Sequence, residues 1–112
     1  MSATYQYPPV TPELLDDAVH RILAVGNPLK IVLFGSRARG DARPDSDLDL
    51  LILEESGLPR YKRVAPYLRA LVDIFPSTDV VVWTPAEAAA WADVPNAFVT
   101  TVIREGKTIY VR

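Results

Sequence analysis

Residues 47–53, DLDLLIL, place two carboxylates one residue apart at the head of an apolar run. Side chains two apart in a strand share a face. Asp47 and Asp49 are therefore expected side by side, with Cα atoms ~6.6 Å apart at ~3.3 Å per residue. Leu48 and Leu50 then turn toward the core. Adjacent carboxylates repel, and each resists leaving water. A divalent cation relieves both problems. Magnesium takes hard oxygen ligands and commonly binds through one or two carboxylates plus substrate phosphates.

The stretch upstream has matching chemistry. An apolar run, Ile31 to Phe34, stops at Gly35-Ser36, and Arg37 to Gly40 reads as the start of a helix. Amides at such a turn attract anions. Gly35 lets a phosphate come close to the backbone, and Ser36 adds a hydroxyl. One segment thus offers an anion cradle and a cation seat, which together describe a metal–phosphate site. GSRARG is neither a P-loop, which ends in Gly-Lys-Ser/Thr, nor a dinucleotide fingerprint, since the middle glycine is missing.

The rest of the chain reads as strands alternating with helices, so a layered sheet is expected. Thr11-Pro12-Glu13 is a helix start, and Leu14, Leu15, Ala18, Val19, Ile22 and Leu23 carry the helical period until Gly26-Asn27-Pro28. Tyr61, Val64, Leu68, Leu71, Val72 and Phe75 form a second helical stripe, in which Pro66 marks either a kink or a start. Asp49–Leu53 and Asp79–Trp83 read as buried strands, Thr84-Pro85 caps a short helix to about Trp91, and residues 93–105 fit one more helix. Thr108 to Val111 reads as a final edge strand. Residues 1–10 read as a tail and 11–112 as a single domain, the expected scale for 112 residues.

Composition narrows the functions. A net charge of -2 argues against DNA binding through bulk positive charge. The absence of cysteine removes disulfides and thiolate metal sites. The start MSATYQYPPV lacks the basic-then-apolar pattern of a signal peptide, and no apolar run is long enough for a bilayer. A soluble, cytoplasmic protein without membrane contact is the expectation.

The motif Gly35-Ser36-x-Ala38-Arg39-Gly40, followed by Ser46-Asp47-x-Asp49-Leu50, resembles the signature of the DNA polymerase beta-type nucleotidyltransferase superfamily. In size and layout the chain is similar to the minimal nucleotidyltransferases (MNT proteins) encoded beside HEPN toxins. The resemblance implies an α+β nucleotidyltransferase fold, with a small mixed β-sheet layered against helices. It implies a third carboxylate on a neighbouring strand. Asp79 is expected there, because it leads Val80-Val81-Val82 as Asp49 leads Leu50-Leu51-Ile52. It further implies that Asp47, Asp49 and Asp79 hold two Mg2+ ions, and that Asp79 is the general base. Gly35 and Ser36 would hold the phosphates of ATP, with Arg39 and Ser46 as further candidates at the nucleotide. The implied reaction is transfer of AMP to an acceptor hydroxyl, such as a tyrosine of a HEPN ribonuclease toxin that the protein silences as its antitoxin. So small a domain has little room for an acceptor-holding part, so a hetero-oligomer is expected. Sequestration of the partner without catalysis, and a stand-alone enzyme acting on a small molecule or an RNA end, are the alternatives.

Each residue also has a plainer reading. Asp79 could cap a turn, with Asp73 as the competing acid, although Asp73 falls in a helical pattern. Arg39 could contact phosphate or tie the loop through carbonyls and carboxylates. Ser46 could orient the loop. Arg37 and Arg43 read as solvated or as a contact to phosphate or a partner, and Asp41, Asp45 and His20 read as solvated. Arg60, Lys62 and Arg63 read as a solvated basic face or a docking patch, and Trp91 as a rim residue or a partner anchor.

Overall fold

Thr11 accepts a hydrogen bond from the Leu14 amide at 3.2 Å and caps helix α1, Pro12–Val25. The proline in its first turn needs no amide donor there. The computed structural model describes residues 9–112, so the tail expected over 1–10 lies outside them except for Pro9 and Val10. Val10 packs against the core.

After α1 the chain forms β1 (Lys30–Phe34), α2 (Ser36–Arg39), β2 (Leu48–Leu53), α3 (Arg60–Arg63), α4 (Ala65–Ala70), β3 (Thr78–Trp83), α5 (Pro85–Ala90), α6 (Phe98–Glu105) and β4 (Lys107–Val111). The sheet has the order β3-β2-β1-β4. β1 runs antiparallel to β2 and to the edge strand β4, with a register shift between Ile31 and Val32 on the β4 side. β2 and β3 are parallel, which requires a crossover, supplied here by α3 and α4. The mixed sheet layered with helices is the expected α+β architecture.

Alternation along the strands gives the sheet two apolar faces. Ile31, Leu33, Leu48, Leu50, Ile52 and Val82 pack under α1 and α4, where Ala18, Ile22, Tyr67 and Leu71 meet them. Val32, Leu51 and Trp83 pack on the other face against Val99 and Val102 of α6. Leu48 and Leu50 are buried, as expected, and this fixes the opposite orientation for Asp49.

Two helical expectations need correction. The stripe after Gly57 is two short helices, and Pro66 sits in the first turn of α4, so it is a start and not a kink. The buried residues of this segment are Tyr67, Leu71 and Ile74, whereas Tyr61, Leu68 and Val72 are exposed. The break between α3 and α4 rotates the expected stripe out of line. The helix expected over 93–105 begins only at Phe98. Pro95 disfavours helical backbone at Val94, and Asn96 has φ 61, so Trp91 to Asn96 is a succession of turns. Among the described residues, no helix is long and apolar enough to cross a membrane.

Candidate functional site

Phe34 is the last residue of β1 and Asp49 is its partner on β2, while Asp49 pairs in register with Asp79 on β3. Cross-strand partners share a face. Phe34, Asp49 and Asp79 thus lie in a row across one end of the sheet, on the face that α6 partly covers further along. Asp47 precedes β2 by one residue. Asp49 and Asp79 are thus neighbours on two parallel strands with Asp47 just ahead of the first, and Asp73 does not join them. Asp73 instead pairs with Arg21 of α1.

Asp49 is the most enclosed of the three; Asp47 and Asp79 are exposed. Burial raises the Asp49 pKa above the usual carboxylate value, and the charges of Asp79 and then Asp47 push it further in the same direction. Arg39 opposes them. At Asp49, burial and two like charges are thus set against one opposing arginine, and the ionised form is disfavoured.

Gly35 adopts φ 72, and a Cβ placed on it would lie 2.3 Å from Asp49 Oδ2. Only glycine allows both this backbone conformation and this approach. The turn is thereby held directly against the Asp49 carboxylate. α2 follows at once, and its amides from Ala38 onward bond back to the Gly35 and Ser36 carbonyls. The helix ends at Gly40 in the left-handed conformation, φ 86.

The loop from α2 to β2 is fastened by Arg37, against the expectation of a solvated side chain. Its guanidinium donates to the Ser46 carbonyl at 2.8 and 3.3 Å and to the Pro44 carbonyl at 3.1 Å. Arg39 is exposed and meets the loop carboxylate of Asp41 at 3.4 Å, in keeping with the loop-tying reading, and its charge also reaches Asp49. Ser46 Oγ accepts from the Arg43 amide at 2.9 Å and so orients the loop.

Sequence reasoning missed Ser77. Its hydroxyl donates to Asp47 Oδ1 at 2.5 Å, and its carbonyl accepts from the Leu48 amide at 2.9 Å. Parallel pairing of β2 and β3 brings Ser77 beside Asp47, and no local pattern signals this. Arg63 was also misread as part of a solvated face. Its side chain is 8% exposed and holds Glu87 at 2.6 Å, while Arg60 lies over the Trp83 ring at 4.0 Å.

The donor set can be tested against a divalent ion. Among the described residues, no three acidic or imidazole groups are already gathered around one point, and Asp47 accepts from Ser77. The pair Asp47 and Asp49 still fits an ion that arrives with phosphate oxygens, since such an ion needs only one or two protein carboxylates. Asp49, with its charge opposed by burial and by two neighbours, is the group that such a cation would relieve.

The result is an α+β domain with acids aligned across a parallel strand pair, next to a glycine turn. The nucleotidyltransferase domain family model matches residues 15–104, and the chain belongs to that family. Its fold is similar to that of a Sulfolobus solfataricus protein assigned as a nucleotidyltransferase, with 22% identity, a TM-score of 0.65, and 90% of this chain and 80% of that chain covered. It is also similar to a toxin–antitoxin structure with AMP-PNP, with 19% identity, a TM-score of 0.56, and 88% and 73% covered. No curated protein sequence matches the chain.

Proposed function

We propose that the protein transfers AMP from ATP to a hydroxyl of a protein partner, and that this partner is a HEPN-type toxin which the transfer silences. The observation that carries the reading is the register pairing of Asp49 with Asp79 beside the Gly35 turn. Family membership supports nucleotide transfer, and the fold shared with a toxin–antitoxin structure supports the kind of partner.

In this reading the Gly35-Ser36 turn holds the β- and γ-phosphates, with Arg39 at its edge and Ser46 fixing the loop beneath. Asp47 and Asp49 would hold Mg2+, with Asp79 completing the set on the acceptor side. The ions supply neutralisation of charge on the triphosphate. The acceptor oxygen forms a bond to the α-phosphorus, and the bond from that phosphorus to the oxygen bridging to the β-phosphate breaks. The electron pair leaves with pyrophosphate, and the hydroxyl proton passes to Asp79. Asp47 and Asp79 are exposed, which leaves the acceptor side open to a second polypeptide and supports a hetero-oligomer.

The test is to incubate the protein with ATP, magnesium and the co-expressed HEPN partner, then weigh the partner by mass spectrometry. The partner gains one or more AMP units with wild-type protein and none with Asp49→Asn. An unmodified partner with wild-type protein and magnesium present overturns the catalytic reading.

A further inference from the structure

α6 presents Phe98, Thr101, Val102 and Glu105 on one face, at positions i, i+3, i+4 and i+7. This face closes a cleft of about 250 Å³ whose other walls are Phe34, Gly35 and Arg39. The cleft begins at the turn already assigned to phosphate. Phe34 pairs with Asp49, so the cleft floor runs directly to the acidic row on the same face of the sheet.

Phe98 is the unusual member. Its ring meets Phe34 edge-on at 5.5 Å and 84°, and Trp83 at 6.3 Å and 37°. Two aromatic neighbours thus set its orientation, yet the residue is 48% exposed. A large apolar ring held in place and left in water is costly unless something flat covers it. The volume lies below the ~300–1,000 Å³ of sites that enclose a whole drug-sized ligand. It suits a nucleobase whose ribose and phosphates continue toward Gly35.

We propose that this cleft receives the adenine of ATP, with Phe98 as its stacking surface and Thr101 and Glu105 as acceptors for the exocyclic amine. The inference rests on the nucleotidyl-transfer reading and adds the base selectivity that reading leaves open. Stacking on an aromatic ring accepts any base, so discrimination falls to the polar wall. Among the described residues, the charged partner of Glu105 is the neighbouring Arg104, at 3.4 Å. A carboxylate there accepts a hydrogen bond from the six-position amine of adenine and repels the six-position carbonyl of hypoxanthine. Phe98 and Glu105 act on binding and selectivity, not on the reacting phosphorus.

Calorimetric titration of the whole protein with magnesium and ATP, inosine triphosphate or inorganic tripolyphosphate tests this. Wild type is expected to bind ATP more tightly than either of the others. Phe98→Ala weakens ATP by roughly tenfold or more, the scale of one lost base–aromatic stack, and leaves tripolyphosphate unchanged. Phe98→Leu keeps an apolar group against Phe34 and Trp83 without the flat ring, so it shows the same loss with an unaltered thermal melt. Glu105→Gln removes the preference for ATP over inosine triphosphate. Unchanged tripolyphosphate binding with ATP affinity insensitive to both Phe98 variants overturns the cleft assignment and leaves the transfer reading standing. Failure of wild type to bind either ATP or tripolyphosphate overturns both.

Discussion

Asp49 carries the main conflict between stability and chemistry. Its pKa is raised by burial and by two neighbouring acids. The folded state therefore favours the protonated form. That contribution to stability is complete below the ordinary carboxylate pKa and is lost as the pH rises through the raised value of Asp49. Asp49→Asn is accordingly expected to melt higher than wild type at pH 7, with the difference vanishing near pH 3, while transfer falls by ~10²-fold or more. Gly35→Ala acts in the opposite direction on stability. It forces φ 72 on a residue with a Cβ and drives that carbon to 2.3 Å from Asp49 Oδ2. Urea denaturation should show a loss of about 1–3 kcal/mol, together with loss of nucleotide binding. Asp73→Asn, which breaks only the pair with Arg21, should leave transfer unchanged. The acids and the Gly-Ser turn were legible because burying charge at a strand head has few explanations. Ser77 was not, because its role depends on which strands pair.

The elements that frame the site are tied by contacts that cross long stretches of sequence. Arg63 of α3 donates to the Leu58 and Val82 carbonyls and to Glu87, which also closes the capping box of α5 with Thr84. The Arg63 hydrogen bonds, then the Thr84 amide, hold the Glu87 pKa down at about 2. This stabilisation is present above the ordinary carboxylate pKa and is lost as the pH falls toward about 2. Arg63→Ala should cost about 2 kcal/mol at neutral pH, the scale of lost hydrogen bonds to a charged group. It should also flatten the acid limb of a stability–pH curve. The same end of the sheet has a comparable clamp just past β2, in which Glu54 accepts from the Tyr67 hydroxyl and from the Asn27 amide at 2.6 Å. Burial, then the hydrogen bond to Glu54, raises the Tyr67 pKa. Strands and the capped helices α1 and α5 were readable from period and cap residues. The region from Asp93 to Ala97 was not, because apolar spacing fits a helix there while Pro95 and Asn96 break the backbone. The basic cluster misled for a similar reason. Charge predicts solvent, but Arg63 lies in a pocket of carbonyls and Glu87 that only the folded chain assembles.

At the scale of the whole molecule, two apolar cores fill the two sides of one four-stranded sheet, and the acidic row sits where the second core ends. The architecture was legible because alternating strands and helices in a chain of this length leave few layer arrangements. The parallel pairing of β2 with β3 was not written in any local pattern, although it is what sets Asp79 beside Asp49. If catalysis is what silences the partner, an Asp47→Ala, Asp49→Ala double variant should still bind the toxin and fail to neutralise it in a growth assay. Full neutralisation by that variant would assign the antitoxin role to binding alone. The central claim is that Asp47 and Asp49 seat a divalent ion together with a triphosphate. Manganese in place of magnesium, followed by electron paramagnetic resonance during titration with a non-hydrolysable ATP analogue, reads that seat directly. The account predicts protein-bound manganese that appears with the analogue and is lost when both aspartates become asparagine; equal binding in the double variant would contradict it.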